Sequence, residues 1–162
     1  MSRERGNGLL CVWTDISPAI EEEFNTWYNQ EHISERVLEV PGFLSARRYA
    51  CVDGEPKYLA AYELEDPSVL QTDAYKEVAQ RRSPGTQKLL PNFSNTTRNI
   101  YQRILEAGRP PAEGAEYLLT VRLGVALKVP HVAVGLHLDE RGPPAASGAG
   151  HRLAGRLEDL EG

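Results

Sequence analysis

Three short runs, Trp27-Tyr28-Asn29-Gln30-Glu31-His32, Val40-Pro41-Gly42-Phe43 and Ala46-Arg47-Arg48-Tyr49, decide how this chain folds. They join the aromatic end of a helix to a Pro-Gly turn and then to a strand carrying two arginines. The first run also holds the only histidine in the first two-thirds of the sequence. If the protein has a pocket, this stretch is expected to build its mouth and one wall.

Upstream, Leu9 to Ile16 reads as a strand, with Leu10, Val12 and Thr14 on one face and Leu9, Cys11, Trp13 and Asp15 on the other. Ser17-Pro18 then starts the helix, Ser17 as cap and Pro18 at the first helical position, where a missing N–H costs nothing. Glu21, Glu22 and Glu23 follow at the positive end of its dipole. At helical spacing Ile20, Phe24, Trp27 and Glu31 fall within roughly 60° of one another, with Tyr28 and His32 on the shoulder of that stripe. Helical order is expected to weaken toward Leu38 and to end at Pro41-Gly42.

Downstream, Phe43 to Val52 and Tyr58 to Leu64 form a hairpin across the turn Asp53-Gly54-Glu55-Pro56. Asp66-Pro67 repeats the cap-plus-proline start, and a second helix runs to about Gln80. Arg81 to Ser94, broken by Pro84-Gly85 and Pro91, reads as loop, and Thr96 to Leu105 as a fourth strand. The order strand-helix-strand-strand-helix-strand is the split βαβ, or ferredoxin-like, α+β plan. Helices cover only one face of such a sheet, yet the first and last strands are apolar on both. A second copy of the sheet is the economical cover, so a homodimer with sheets face to face, enclosing a cavity, is expected.

The organisation that follows is a ferredoxin-like domain over 1–105, a linker over 106–114 and an extension over 115–162. Within the extension, 115–138 reads as one or two strands that add to a sheet edge or exchange with a partner. Leu118-Leu119-Thr120-Val121 faintly echoes Leu9-Leu10-Cys11-Val12, as in a truncated second repeat. Residues 139–162 are rich in Gly, Pro and Ala and are expected to be mostly disordered, with a short helix near Leu153 to Leu160.

Composition excludes several classes. A net charge of −5 argues against general nucleic-acid binding. No apolar run approaches the roughly 20 residues of a spanning helix, and the polar start lacks a secretory signal, so a cytoplasmic protein without a membrane partner is expected. Cys11 and Cys51 are expected as free thiols rather than a disulfide.

The residues Phe24-Asn25-Thr26-Trp27-Tyr28, Glu31-His32-Ile33, Val40-Pro41-Gly42-Phe43, Ala46-Arg47-Arg48-Tyr49 and Pro56-Lys57-Tyr58-Leu59 resemble the EthD-like branch of the dimeric α+β-barrel superfamily over about residues 8–105. The resemblance is specific for fold and poorly specific for activity. It implies a small-molecule protein from a degradation or biosynthetic pathway, and wider relatives include cofactor-free monooxygenases, lactone isomerases, polyketide cyclases and haem-degrading enzymes.

Set beside the residues, that gives a candidate catalytic group of His32, Glu31, Arg47 and Arg48. His32 titrates near neutrality and suits proton transfer next to a carbonyl; the alternative is a cap on the helix C-terminus. Glu31 lies on the apolar stripe, and pairing with Arg47 or Arg48 is favoured over catalysis. Arg47 and Arg48 point to opposite faces of their strand, so at most one lines a cavity, where it would hold a carboxylate or enolate oxygen. Trp13, Tyr28, Tyr49, Tyr58, Tyr62 and Tyr101 are candidates for an aromatic lining, or else ordinary core. His131 and His137 lack the companions of a metal site, so neither metal nor cofactor is expected. The reading is an isomerase, cyclase or cofactor-free monooxygenase acting on an aromatic or polyketide-like substrate. The alternatives are a non-catalytic ligand-binding protein, or a haem binder with His32 as axial ligand.

Overall fold

The computed structural model describes residues 6–108 and 117–122 and, as backbone strands, 134–137 and 153–157. Strand β1 (Gly8–Ile16) lies at the centre of an antiparallel sheet with β2 (Phe43–Cys51), β3 (Tyr58–Leu64) and β4 (Phe93–Gln102) in the order β4-β1-β3-β2. Between β1 and β2 comes a helical run of α1 (Glu21–Trp27), one π-helical turn (Tyr28–His32) and α2 (Ile33–Glu39); between β3 and β4 come α3 (Asp73–Gln80) and α4 (Pro84–Leu89). This is the ferredoxin-like βαββαβ unit, with a strand-containing extension at its C-terminal side.

The caps behave as their chemistry dictates. Ser17 Oγ accepts from Ala19 N, and Asp66 Oδ1 accepts from Ser68 N at 2.9 Å ahead of a short 3-10 turn, Pro67–Gln71. The helical run ends at Pro41-Gly42, where Gly42 takes φ +93° and a Cβ would come within 2.5 Å of Val69 Cγ2. Helix therefore persists firmly to Glu39 rather than fading.

Three expected boundaries move. The second helix, expected to follow directly on Asp66-Pro67, begins at Asp73, because Thr72 is extended and caps it by accepting from Tyr75 N. The stretch from Arg81 to Ser94, expected as loop, contains α4, capped by Ser83 and started by Pro84, with Leu89 fully buried. Six residues are too few to show helical periodicity in sequence. The fourth strand starts at Phe93 and stops at Gln102, because its partner β1 runs only from Ile16 back to Gly8. Ile104 and Leu105, expected within it, are exposed beyond its end.

Two cores flank the sheet. Phe24, Trp27, Tyr28, Ile33, Phe43, Tyr58, Tyr62, Leu64 and Leu89 fill the space between sheet and helices. Cys11, Trp13, Leu59, Tyr101 and Leu118 form a second cluster on the opposite face. Leu118 belongs to β5 (Tyr117–Arg122), which with β6 (Val134–His137) and β7 (Leu153–Leu157) continues the sheet in the order β2-β7-β5-β6. The helix expected near Leu153 to Leu160 is thus a strand over Leu153–Leu157. Gly155 in its middle disfavours helix by about 1 kcal/mol against Ala, while the open edge of β2 offers main-chain partners at Tyr49, Ala50 and Cys51. Most of 139–162, expected as disordered, lies outside the described residues. Both cysteines are free thiols, and among the described residues no helix is long and apolar enough to cross a membrane.

Candidate functional site

The π-helical turn spans Tyr28 to His32, in the stretch that the sequence singles out. Its signature is the i→i+5 bond from Ile33 N to Tyr28 O. At its start two successive aromatics, Trp27 and Tyr28, both turn inward, at 6% and 2% exposure. It also brings the His32 ring against both, with centroids 4.6 Å from Trp27 and 5.0 Å from Tyr28. π-turns within α-helices recur at functional sites.

His32 does not cap a helix C-terminus: it is the last residue of the π-turn, which runs straight on into α2, and its side chain makes no cap hydrogen bond. Its Nδ1 is shielded from solvent and has no hydrogen-bond partner. Burial first, then the charges of Arg36 and Arg48, push the imidazole down to about 3, so it is neutral at physiological pH. One turn on, Arg36 Nη1 is likewise shielded without a hydrogen bond, and its guanidinium lies 5.8 Å from the centre of the Tyr75 ring. Below them the Tyr62 and Tyr28 hydroxyls meet at 3.3 Å, both raised in pKa chiefly by burial.

Strand alternation sends Arg47 and Arg48 to opposite faces. Arg48 lies under α1, 3% exposed, donating to Asn29 Oδ1 at 2.6 Å and Asn25 Oδ1 at 2.7 Å. Its guanidinium is 4.5 Å from the Tyr28 ring centre, 5.0 Å from Phe24 and 5.2 Å from Tyr58. By accepting from Arg48, the two asparagine oxygens leave their amide groups to donate outward, and Asn25 Nδ2 does so to Tyr58 Oη at 3.2 Å. Tyr58 in turn donates to Glu21, which Lys57 also holds; these bonds keep Glu21 below the usual carboxylate range. Asn25, Asn29, Gln30 and Tyr58 line an open groove of about 480 Å³ on the outer side of α1. Arg47 is exposed on the other face.

Glu31 pairs with neither arginine, contrary to expectation. It accepts from Trp27 Nε1 at 3.1 Å and from Ser83 Oγ, the cap of α4. Gly85 follows so closely on Trp27 that a Cβ would lie 2.5 Å from its Cδ1. Glu31 escapes the cost of a buried carboxylate by facing these two neutral donors.

The expected aromatic lining divides between two places. Tyr28, Tyr58 and Tyr62 belong to the helix side, and Trp13, Tyr49 and Tyr101 to the opposite face, where Trp13 and Tyr101 meet edge to face at 6.4 Å. They line no common cavity, because residues of odd and even number along each strand part at the sheet. Arg36 escaped the sequence reading; its one available signal was its place four residues after His32.

The fold is ferredoxin-like, and Tyr28, His32 and Arg36 sit together on the helical run that packs against the sheet. No family profile matches the sequence, and no curated protein matches it. Three chains of solved structures do match. One is the heme-degrader MhuD from Mycobacterium tuberculosis with two hemes bound in its active site, at 18% identity, over 62% of this chain and 99% of that one, with a TM-score of 0.45.

Proposed function

We propose that the chain binds a small organic acid or enolisable carbonyl compound beside the Tyr28–His32 turn and moves a proton on it. The observation that carries this reading is the pair of shielded, unpartnered polar atoms one turn apart, His32 Nδ1 and Arg36 Nη1. Each costs about 1–3 kcal/mol when left without a hydrogen bond, and a ligand oxygen offers both a partner. The EthD-like resemblance of Trp27-Tyr28 and Glu31-His32 supports the same place.

Arg36 would face the negative charge that develops on an enolate or carboxylate oxygen. His32, buried and pressed by two guanidinium groups, is held in its neutral form, with no proton to give. In the free protein it is a weak base for chemistry at neutral pH. An anionic ligand beside Arg36 offsets those positive charges and raises the imidazole toward the working range. Tyr28 and Tyr62 would fix the ligand's orientation, and Arg48 holds the helix that carries the site. No metal or nucleotide is required.

The test is exchange of solvent deuterium into a panel of enolisable aromatic and polyketide-like acids, with wild type, His32→Gln and Arg36→Met. Exchange that falls at least tenfold in His32→Gln supports proton transfer. Binding that survives in His32→Gln, with no exchange in any protein, supports a non-catalytic ligand binder. Added haem that gives a Soret band lost in His32→Gln would replace both readings with haem binding.

A further inference from the structure

Two arginines flank Tyr75, on α3, and neither makes an ion pair. The Arg36 guanidinium lies 5.8 Å from the centre of the Tyr75 ring, and Arg98 Nη2 donates to its hydroxyl at 3.1 Å. Acids are in excess in this chain, 23 against 18 lysines and arginines, and Lys57, Lys76, Arg81, Lys88 and Arg103 each pair with one. Among the described residues no carboxylate pairs with Arg36 or Arg98. Glu35, next to Arg36 in sequence, feels its charge without bonding to it.

Both arginines serve the same side of the sheet. Arg98 stands opposite Val12 in the ladder of β4 with β1, and Val12 packs against the core under the helices. Arg36 belongs to α2, one turn after His32. Tyr75, between the two charges, stacks on Phe43 at 5.9 Å, and Phe43 meets Tyr62 edge to face at 5.8 Å. Because the Tyr75 oxygen accepts from Arg98, its own O–H is left to donate, and no described residue takes it. Arg98 is exposed, so this end opens to water, whereas Arg36 Nη1 at the other end is shielded.

We infer that the His32 site takes an elongated dianion, with one carboxylate or enolate oxygen at Arg36, a second carboxylate at Arg98 and the Tyr75 hydroxyl, and a short apolar spacer along the Tyr75 ring. This outer half of the site rests on the inner half proposed above. An arginine fork with a hydroxyl beside it suits a carboxylate, which accepts on both oxygens. A ligand with a single charge leaves Arg98 in water beside Tyr75 and gains nothing from it.

Titration calorimetry at about pH 7.5, where both carboxylates are ionised, compares terephthalate and the straight-chain diacids from glutarate to suberate with their monomethyl esters. At least one diacid should bind the wild type about fivefold or more tightly than its monoester. Arg98→Gln should abolish that preference and leave the monoester's affinity unchanged, and Tyr75→Phe should reduce the preference. Arg82→Gln, which removes an exposed charge elsewhere, should preserve it. Arg36→Met should weaken diacid and monoester alike. Monoesters that bind as tightly as every diacid would overturn the dianion and leave the inner half standing. So would a preference that survives Arg98→Gln, or one that Arg82→Gln removes equally. Absence of binding by all of these acids would also overturn it, and the deuterium exchange described above then decides on the inner half separately.

Discussion

Acid should weaken this protein through His32. The imidazole's ordinary value is 6.5 and its folded value about 3, so between those limits the unfolded chain binds the proton that the folded chain refuses. Stability therefore rises with pH through that window and is lost progressively as pH falls below 6.5. At pH 5.0 the loss is the distance from 6.5, at about 1.4 kcal/mol per pH unit, or about 2 kcal/mol; it grows to about 4 kcal/mol by pH 3, where the folded imidazole begins to take the proton too. Against a total stability of about 5–15 kcal/mol, either figure is large. The control is His32→Phe, which keeps a flat ring against Trp27 and removes the titration. Urea unfolding of both proteins at pH 7.5 and 5.0 cancels His131, His137 and His151, which they share. Wild type should lose about 2 kcal/mol more than the variant. Equal losses, to within about 0.5 kcal/mol, would refute the claim that burial and two guanidinium groups depress this histidine.

Arg48→Met should cost about 3 kcal/mol in urea unfolding, since it strands the Asn25 and Asn29 oxygens and removes three ring contacts; Arg48→Lys should recover less than half, lacking the planar fork. Gly85→Ala, whose new Cβ would press on Trp27, should cost about 1–3 kcal/mol and shift the tryptophan emission as the indole leaves Glu31. Gly42→Ala should lower Tm through its φ of +93° and the Val69 contact, whereas an unchanged Tm would mean that the turn relaxes freely. Native protein at pH 8 should show one reactive thiol, Cys51, with Cys11 reacting only in denaturant.

Local chemistry was legible in the sequence where it is local. Ser17-Pro18 announced the start of its helical run because a cap and its proline act within three residues, whereas Asp66-Pro67, expected to start the second helix, starts only a 3-10 turn, and α3 has its own cap in Thr72. That β1 is covered on both faces was legible because its residues are apolar on both. The partner of Glu31 was not, since Ser83 lies 52 residues away on a helix too short to show a period. Nor could alternation tell that Tyr62 and Tyr101 serve different faces until the register of Leu9 with Glu63 and Tyr101 was known. The cover that β5 sets over the Trp13 cluster was hidden for a stronger reason. The sequence shows that a face needs covering, but whether the cover comes from the same chain is a matter of distant pairing.

The π-turn also bears on how related sequences should be aligned. Counted at a constant helical step, Ile33 falls about half a turn from Phe24, on the side facing water. In the structure both are buried, because the turn at Tyr28–His32 absorbs one residue and sets the count back. A relative with an unbroken helix would place its core one position earlier from here to Glu39. Its best alignment would then carry a single-residue gap inside the helix, between Tyr28 and His32, where a gap is ordinarily penalised most. Comparison made without that gap would match the inward residues of one protein to the outward residues of the other.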